Sequence, residues 1–394
     1  MKLSRKHLIA VGLVGGVMIS VALGVVAARA PAAGDDSTYS YLKLFNEVLA
    51  LVRNSYVEEV PQGDLLKGAY EGLLSSLDAE SEYLTAAEYE AIRKGGGGGE
   101  ADAGIALTRR EGVLFIAAVL PGTDAQSKGL RVGDQVRRVG DRPGRELSLS
   151  EAMRALRGPS GSSVILAVSR REDPRREDVS VVRKKLTLPV PRLDPIQDAV
   201  AVVRFPALGP GAGKALGGIL DKLQKEKVKS AVFDLRGNAW GELDEAVRAA
   251  SLLVGDRVIA RVRDRKGEER PMNGSGPKNA WSGEILLLTD PGTAYAAEVF
   301  TSALLEAGVA KQAGETTLGR GGEQEILPLA NGDYLSLTVR KLVSSAGKGW
   351  HGSGLTPSVA LPADPADAFK DRAEHQLKKA IEWLREPAHG EKAA

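Results

Sequence analysis

The side chains that most readily do chemistry at neutral pH are thiols and imidazoles, and this sequence of 394 residues holds almost none of either. There is no cysteine, which rules out thiol catalysis, disulfides and cysteine metal sites. The four histidines (His7, His351, His375, His389) are scattered, and only His351 falls inside the apparent core. A Ser-His-Asp triad or a histidine-held metal would have to be built around it. No HExxH or similar spacing occurs, so neither a metal nor another cofactor is expected. The 53 basic and 51 acidic residues nearly cancel, to a formal +2, and nothing in that balance points to nucleic acid.

The elements that must position any site begin with an unusual N-terminus. Lys2, Arg5 and Lys6 precede an uncharged apolar run from Leu8 to Ala28, about the length that crosses a bilayer as a helix. The basic flank predicts that the start stays cytoplasmic and the remainder is exported. Ala28-Arg29-Ala30 has the form of a signal-peptide cleavage site, whereas Pro31 and the length of the run favour an uncleaved anchor.

The rest of the chain, at 43% hydrophobic and 26% charged residues, has room for two or three cored domains. Leu44, Val48, Leu51 and Val52 predict a helix over Tyr41 to Tyr56. A second is expected from Asp64, as N-cap, through Leu65, Ala69, Leu73 and Leu74, and a third after Thr85 through Glu88 and Ile92. Five glycines from Gly95 to Gly99 mark a boundary. Short strands come next: Gly112 to Leu120, a strand beginning at Val132 to Val136, and a hairpin of Val164 to Val168 with Val179 to Val182. Ser150 is expected to cap a helix through Met153 and Leu156, and the charged hairpin tip from Arg170 to Asp178 reads as a solvated loop. Beyond Thr187 apolar strands (199–205, 230–235, 284–289) alternate with helices (213–225, 243–253), an α/β pattern. Asp364-Pro365 opens a last helix whose Phe369, Ala373, Leu377, Ala380, Ile381 and Leu384 share one face.

Three stretches together resemble the C-terminal processing peptidases, or tail-specific proteases, which are exported serine peptidases with a PDZ domain. Tyr56-Val57, Gly68-Ala69, Leu73-Leu74, Ser76-Leu77-Asp78 and Tyr83-Leu84 are similar to that family's N-terminal helical segment. Gly104-Ile105-Ala106-Leu107 resembles the carboxylate-binding loop of its PDZ domain, with Ala106 where the family has glycine. Pro121 to Ala125 and Gly129 to Val136 resemble the helix and strand that come after that loop. Ala231 to Asn238, Gly241 and Leu243 to Ala246 resemble the segment that helps form the oxyanion hole. Thr293-Ala294, Ala296 and Glu298-Val299 resemble the nucleophile turn, Gly314 to Gly319 with Gln324 the base segment, and Gly347, Gly352 and Gly354 to Pro357 the closing motif. The resemblance implies a multidomain α/β and α+β chain. Its parts are an anchor or signal and connector (1–34), a helical segment and Gly-rich linker (35–100), a PDZ-like β-barrel module (101–186), an α/β peptidase-like core (187–362), and a C-terminal helix and tail (363–394).

The same resemblance places a nucleophilic serine at position 295 and a lysine base at 320, where this chain has Tyr295 and Arg320. A phenol sits too far from its Cα to replace a serine hydroxyl, and a guanidinium stays protonated and cannot accept the proton. Trp240, before Gly241, stands where the family has glycine, and a bulky residue there narrows the oxyanion site; Trp350 also replaces a smaller residue. Gln324, which orients the lysine in the family, is left to face solvent. Tyr295 and Arg320 are expected to pack ring against guanidinium. The expectation is therefore an envelope-located pseudopeptidase on the periplasmic side of a bacterial inner membrane. It would bind peptides or protein C-termini through residues 104–107, perform no catalysis at 295, 320 and 324, and serve as adaptor or regulator, with an active relative as a candidate partner. The alternative is an active serine-type endopeptidase with a displaced nucleophile (Ser302, Ser344 or Ser345; Thr293 is a further hydroxyl), with Lys311, Lys341 and Lys348 in the region.

Overall fold

The computed structural model describes residues 35–93, 101–170, 175–196, 200–277, 279–362 and 369–386. The apolar run from Leu8 to Ala28, the glycines from Gly95 to Gly99 and Asp364-Pro365 lie outside them. Among the described residues no helix is long and apolar enough to cross a membrane. The chain forms two compact units, Met1–Tyr70 and Glu71–Ala394. In the first, α1 (Asp35–Ser55) leads to α2 (Gln62–Ser75), which ends in the second. Leu44, Val48 and Leu51 of the predicted stripe are exposed. Asp64 lies inside the first turn of α2 rather than capping it, because its own N–H already donates to Pro61 O.

In the second unit, β1 (Glu82–Leu84) and α3 (Ala86–Arg93) come first. Thr85 caps α3 reciprocally with Glu88: the Thr85 hydroxyl accepts from Glu88 N and the Glu88 carboxylate accepts from Thr85 N. The next module comprises β2 (Ala101–Asp102), β3 (Ile105–Arg110), β4 (Val113–Val119), α4 (Asp124–Ser127), β5 (Gln135–Val139), β6 (Arg142–Pro143), α5 (Leu149–Ala155), β7 (Arg157–Gly158), β8 (Ser163–Ser169) and β9 (Glu177–Val182). Its main sheet runs in the order β3-β4-β5-β8-β9, so β3 has one free edge. Alternating Ile105, Leu107, Leu114, Ile116, Val164, Leu166 and Val168 point into one core with Leu156. The N-cap of α5 is Ser148, not Ser150, because only Ser148 has a glutamate three residues on, and Ser148 and Glu151 form a complete capping box.

A six-stranded sheet runs β10 (Arg192–Leu193), β11 (Val200–Arg204), β12 (Ser230–Asp234), β15 (Glu284–Thr289), β16 (Ala310–Gly314), β19 (Val359–Ala360), with every pair from β11 onward parallel. Such strands are covered on both faces and therefore read as unbroken apolar runs. One face (Ala201, Val203, Ala231, Phe233, Ile285, Leu287) packs on α6 (Ala212–Lys225), α7 (Leu243–Val254) and α8 (Ala296–Glu306). The other (Val200, Val202, Val232, Leu286, Leu288) receives Leu377 and Ala380 of α9 (Phe369–Arg385). A further sheet joins β1, β18 (Tyr334–Ser344), β13 (Val258–Asp264) and β14 (Glu269–Asn273), with β17 (Gly322–Pro328) also paired to β18. Through Glu82↔Ser336 the strand β1 is bolted to the core.

Candidate functional site

In open α/β sheets ligands sit beyond the carboxyl ends of the strands. Three loops meet at that end here: residues 235–241 after β12, 290–295 after β15 and 315–321 after β16. Asp290 ties the first two, its Oδ1 accepting from Gly237 N and Gly292 N, both at 2.9 Å. Burial drives the Asp290 carboxyl up to about 6, against the pull of those N–H groups and the Arg236 guanidinium. Ala294 N donates to Asn238 O at 2.9 Å, and Leu318 N to Thr293 O at 2.9 Å. Gly241 is held so close to α8 that a Cβ on it would lie 2.9 Å from Ala296 Cβ. Asp234 is held below its ordinary range: burial pushes it up, but Arg236 and Arg204 outweigh that. Arg236 also reaches Ala373 O and Gln376 on α9.

Tyr295 caps α8 with φ 52° and ψ −107°, a left-handed conformation that non-glycine residues avoid. Glu298, one turn on and fully buried, holds that turn in place. Its Oε2 accepts from Tyr295 N at 2.9 Å and Arg320 N at 2.8 Å; its Oε1 accepts from Thr317 Oγ1 at 2.5 Å and Gly319 N at 2.6 Å. Burial raises this carboxyl to about 7, with the Thr317 hydroxyl and the three N–H groups pulling the other way. One carboxyl thus clamps the backbones of residues 295 and 320 into a single frame. The side chains carried by that frame are a half-buried phenol and a guanidinium. The Arg320 guanidinium carbon lies 5.9 Å from the Tyr295 ring centroid, as the expected ring-to-guanidinium packing requires. Its Nε donates to Glu80 Oε1 at 2.6 Å. Burial raises the Tyr295 phenol, Glu323 adds to that and Arg320 opposes it.

Gln324 is exposed but not left to solvent alone. Its Nε2 donates to Glu80 Oε2 at 2.9 Å and to Thr338 Oγ1 at 3.2 Å, so Glu80 receives both side chains. Trp240 is half-buried beside Gly241, with its carbonyl accepting from Leu208 N. Trp350 is 1% exposed and fills core space against Gly321. His351 Nε2 lies 3.5 Å from Asp78 Oδ2, and its ring packs against Gly322 just past the third loop. Of the alternative hydroxyls, that of Ser345 belongs to a half-buried residue. Ser302 and Ser344 are 3% and 2% exposed, and Thr293 Oγ1 is spent on Leu235 O at 2.9 Å. Glu80, Asp290 and the clamping role of Glu298 escaped the sequence reading. The one signal available was the position of Glu298 three residues into a helix, where a side chain can reach back to its N-cap.

A second candidate site lies where β3 packs against α5. Gly104, with φ 72°, starts β3, and Ile105, Ala106 and Leu107 are all buried. Leu107 N donates to Met153 Sδ at 3.2 Å. Behind it the bulged residue Ala117 of β4 presses on the nucleophile-turn loop, where a Cβ on Gly292 would overlap Ala117 O. Glu82 of β1 holds α5 in place, accepting from Ser148 Oγ at 2.9 Å and Arg154 Nη1 at 2.8 Å.

Residues 199–361 match the model of peptidase family S41, and residues 94–169 match that of the PDZ domain. The chain thus carries an S41 peptidase domain preceded by a PDZ domain. Over 390 residues it is 26% identical to a carboxy-terminal-processing protease of Bartonella bacilliformis, covering 97% of this chain and 90% of that one. A probable CtpA-like serine protease of Staphylococcus aureus is 27% identical, covering 89% of this chain and 71% of the relative. A photosystem II D1 C-terminal processing protease shares the fold at a TM-score of 0.65 and 22% identity, over 82% of this chain and 94% of that one. This chain is a PDZ-bearing relative of the C-terminal processing peptidases, and its three-loop frame lies within the matched peptidase segment.

Proposed function

We propose that this chain is a pseudopeptidase of the C-terminal processing type, located in the cell envelope, that binds peptides, protein C-termini among them, through its PDZ domain. The observation that carries the reading is the pairing at position 320. A serine peptidase of this kind needs a neutral amine beside a small hydroxyl, and Arg320 supplies a permanent cation neutralised by Glu80. Tyr295 occupies the strained N-cap where the hydroxyl belongs, and a phenol oxygen lies too far from its Cα to stand in for that hydroxyl. The free edge of β3 supports the binding half of the proposal, since an added strand needs unpaired backbone groups. The apolar run from Leu8 to Ala28 supports an envelope location, and an active relative fits as a partner for an adaptor of this kind.

The test is incubation of the full-length chain, purified in detergent, with a disordered protein such as casein, beside a Tyr295→Ser/Arg320→Lys variant. The wild type is expected to leave the substrate intact while the variant cleaves it. Cleavage by the wild type that disappears on Arg320→Ala would overturn the proposal in favour of an active endopeptidase. If the double variant is also inert, adding Trp240→Gly is expected to restore turnover by reopening the oxyanion loop.

A further inference from the structure

The carboxylate-binding loop of the PDZ domain already contains a carboxylate. Asp102 Oδ1 accepts from Gly104 N at 2.7 Å, and its Oδ2 lies 3.3 Å from Arg157 Nε. Ala103 N donates to Leu156 O at 3.1 Å. A terminal carboxylate is captured by several backbone N–H groups converging on one point. Here the Gly104 N–H, at the start of the loop, is already committed to Asp102, whose charge is in turn paired with Arg157.

Further along β3 the situation is different. The acceptor on Leu107 N is the Met153 thioether, a weak acceptor on a flexible side chain, seated where the carbonyl of an added strand would bond. Carboxylate and arginine hold the Gly104 end firmly, whereas the Leu107 end is held by a contact that a peptide carbonyl readily displaces.

We infer that this groove takes an extended peptide through its backbone, with Met153 as the displaceable occupant, and does not require a free C-terminal carboxylate. Its ligand class includes internal stretches of unfolded chains. This rests on the peptide-binding reading above and narrows it. Asp102 is the residue that removes carboxylate selectivity, and Met153 is the residue that sets the threshold for entry.

The experiment uses the labelled full-length chain in detergent and one random decapeptide library printed twice. One array is tethered through the peptide C-terminus, so no free carboxylate exists; the other is tethered through the N-terminus. Binding on the two arrays is expected to agree within about twofold, and Met153→Ala is expected to raise both. Asp102→Ala is expected to shift binding toward the free-carboxylate array. A wild-type preference of about tenfold or more for free carboxylates would overturn the inference while leaving peptide binding in place. Absence of binding on both arrays would overturn peptide binding itself, and the inference with it.

Discussion

Two carboxylates two residues apart, Glu80 and Glu82, serve two different clefts. Glu80 reaches the peptidase frame and holds Arg320 and Gln324 at 2.6 Å and 2.9 Å. Glu82 reaches the PDZ domain and holds Ser148 and Arg154. In the first, one carboxyl ties the backbones of residues 295 and 320 together, and the side chains they carry are a phenol and a guanidinium. In the second, the backbone of β3 at Leu107 N donates to the Met153 thioether of α5. The frame of a catalytic site and its chemistry are therefore separable properties. Clamps such as Glu298 bond to main-chain N–H groups that any residue supplies, so they persist whatever stands at 295 and 320.

The comparison breaks most severely at Glu298. Glu298→Ala leaves a hydroxyl and three N–H groups without their acceptor in a dry interior, and is expected to destabilise the protein by about 3–5 kcal/mol. Chemical denaturation reads this directly. The conservative Glu298→Gln sharpens the point through pH. The native carboxyl titrates at about 7, above its ordinary 4.5, so it favours the folded state below that lower value. As pH rises from there toward 7, the unfolded chain ionises first and that stability is lost, by about 3 kcal/mol. The stability difference between wild type and Glu298→Gln is therefore expected to shrink over that interval. A constant difference from pH 4.5 to 7 would refute the assignment.

The two neighbouring carboxylates give the next contrast. Arg154→Ala strips a cation from Glu82, which is 8% exposed, and is expected to cost about 2–3 kcal/mol. Arg320→Ala strips one from Glu80, but the Arg320 side chain is 46% exposed and solvent screens the pair, so the loss is expected to stay within about 1 kcal/mol. Equal losses in thermal melts would mean that the peptidase cleft depends on its ion pair as heavily as the PDZ domain does.

Much of the fold is legible in the order of residues alone. The parallel strands at 200–204, 230–234 and 284–289 stand out because burial on both faces makes them unbroken apolar runs. Helices α6 and α7 follow from their apolar spacing. The sheet around β18 left no such trace: β14 reads Glu-Arg-Pro-Met-Asn, largely exposed, and β17 reads Gly-Glu-Gln-Glu-Ile-Leu-Pro, with no apolar alternation. Their strand state comes from pairing partners distant in the chain rather than from local propensity. Tyr295 and Arg320 were legible as departures from a pattern, whereas Glu80 was not, because a surface-type residue in a turn carries no mark of a partner 240 positions away.

The smallest effect asks what the frame costs. At φ 52° and ψ −107° a Cβ is strained, and the strain is independent of what the side chain does. Replacing Tyr295 with alanine or with glycine removes the same ring contacts, so the difference between the two variants isolates the backbone. At an ordinary position alanine is the more stable of the pair, because glycine loses more conformational entropy on folding. At this position the order is expected to invert, with Tyr295→Gly more stable than Tyr295→Ala by about 1 kcal/mol. The usual order would mean that the turn relaxes once the ring is gone. The left-handed conformation would then be held by the Tyr295 ring against Arg320, and not by the Glu298 clamp.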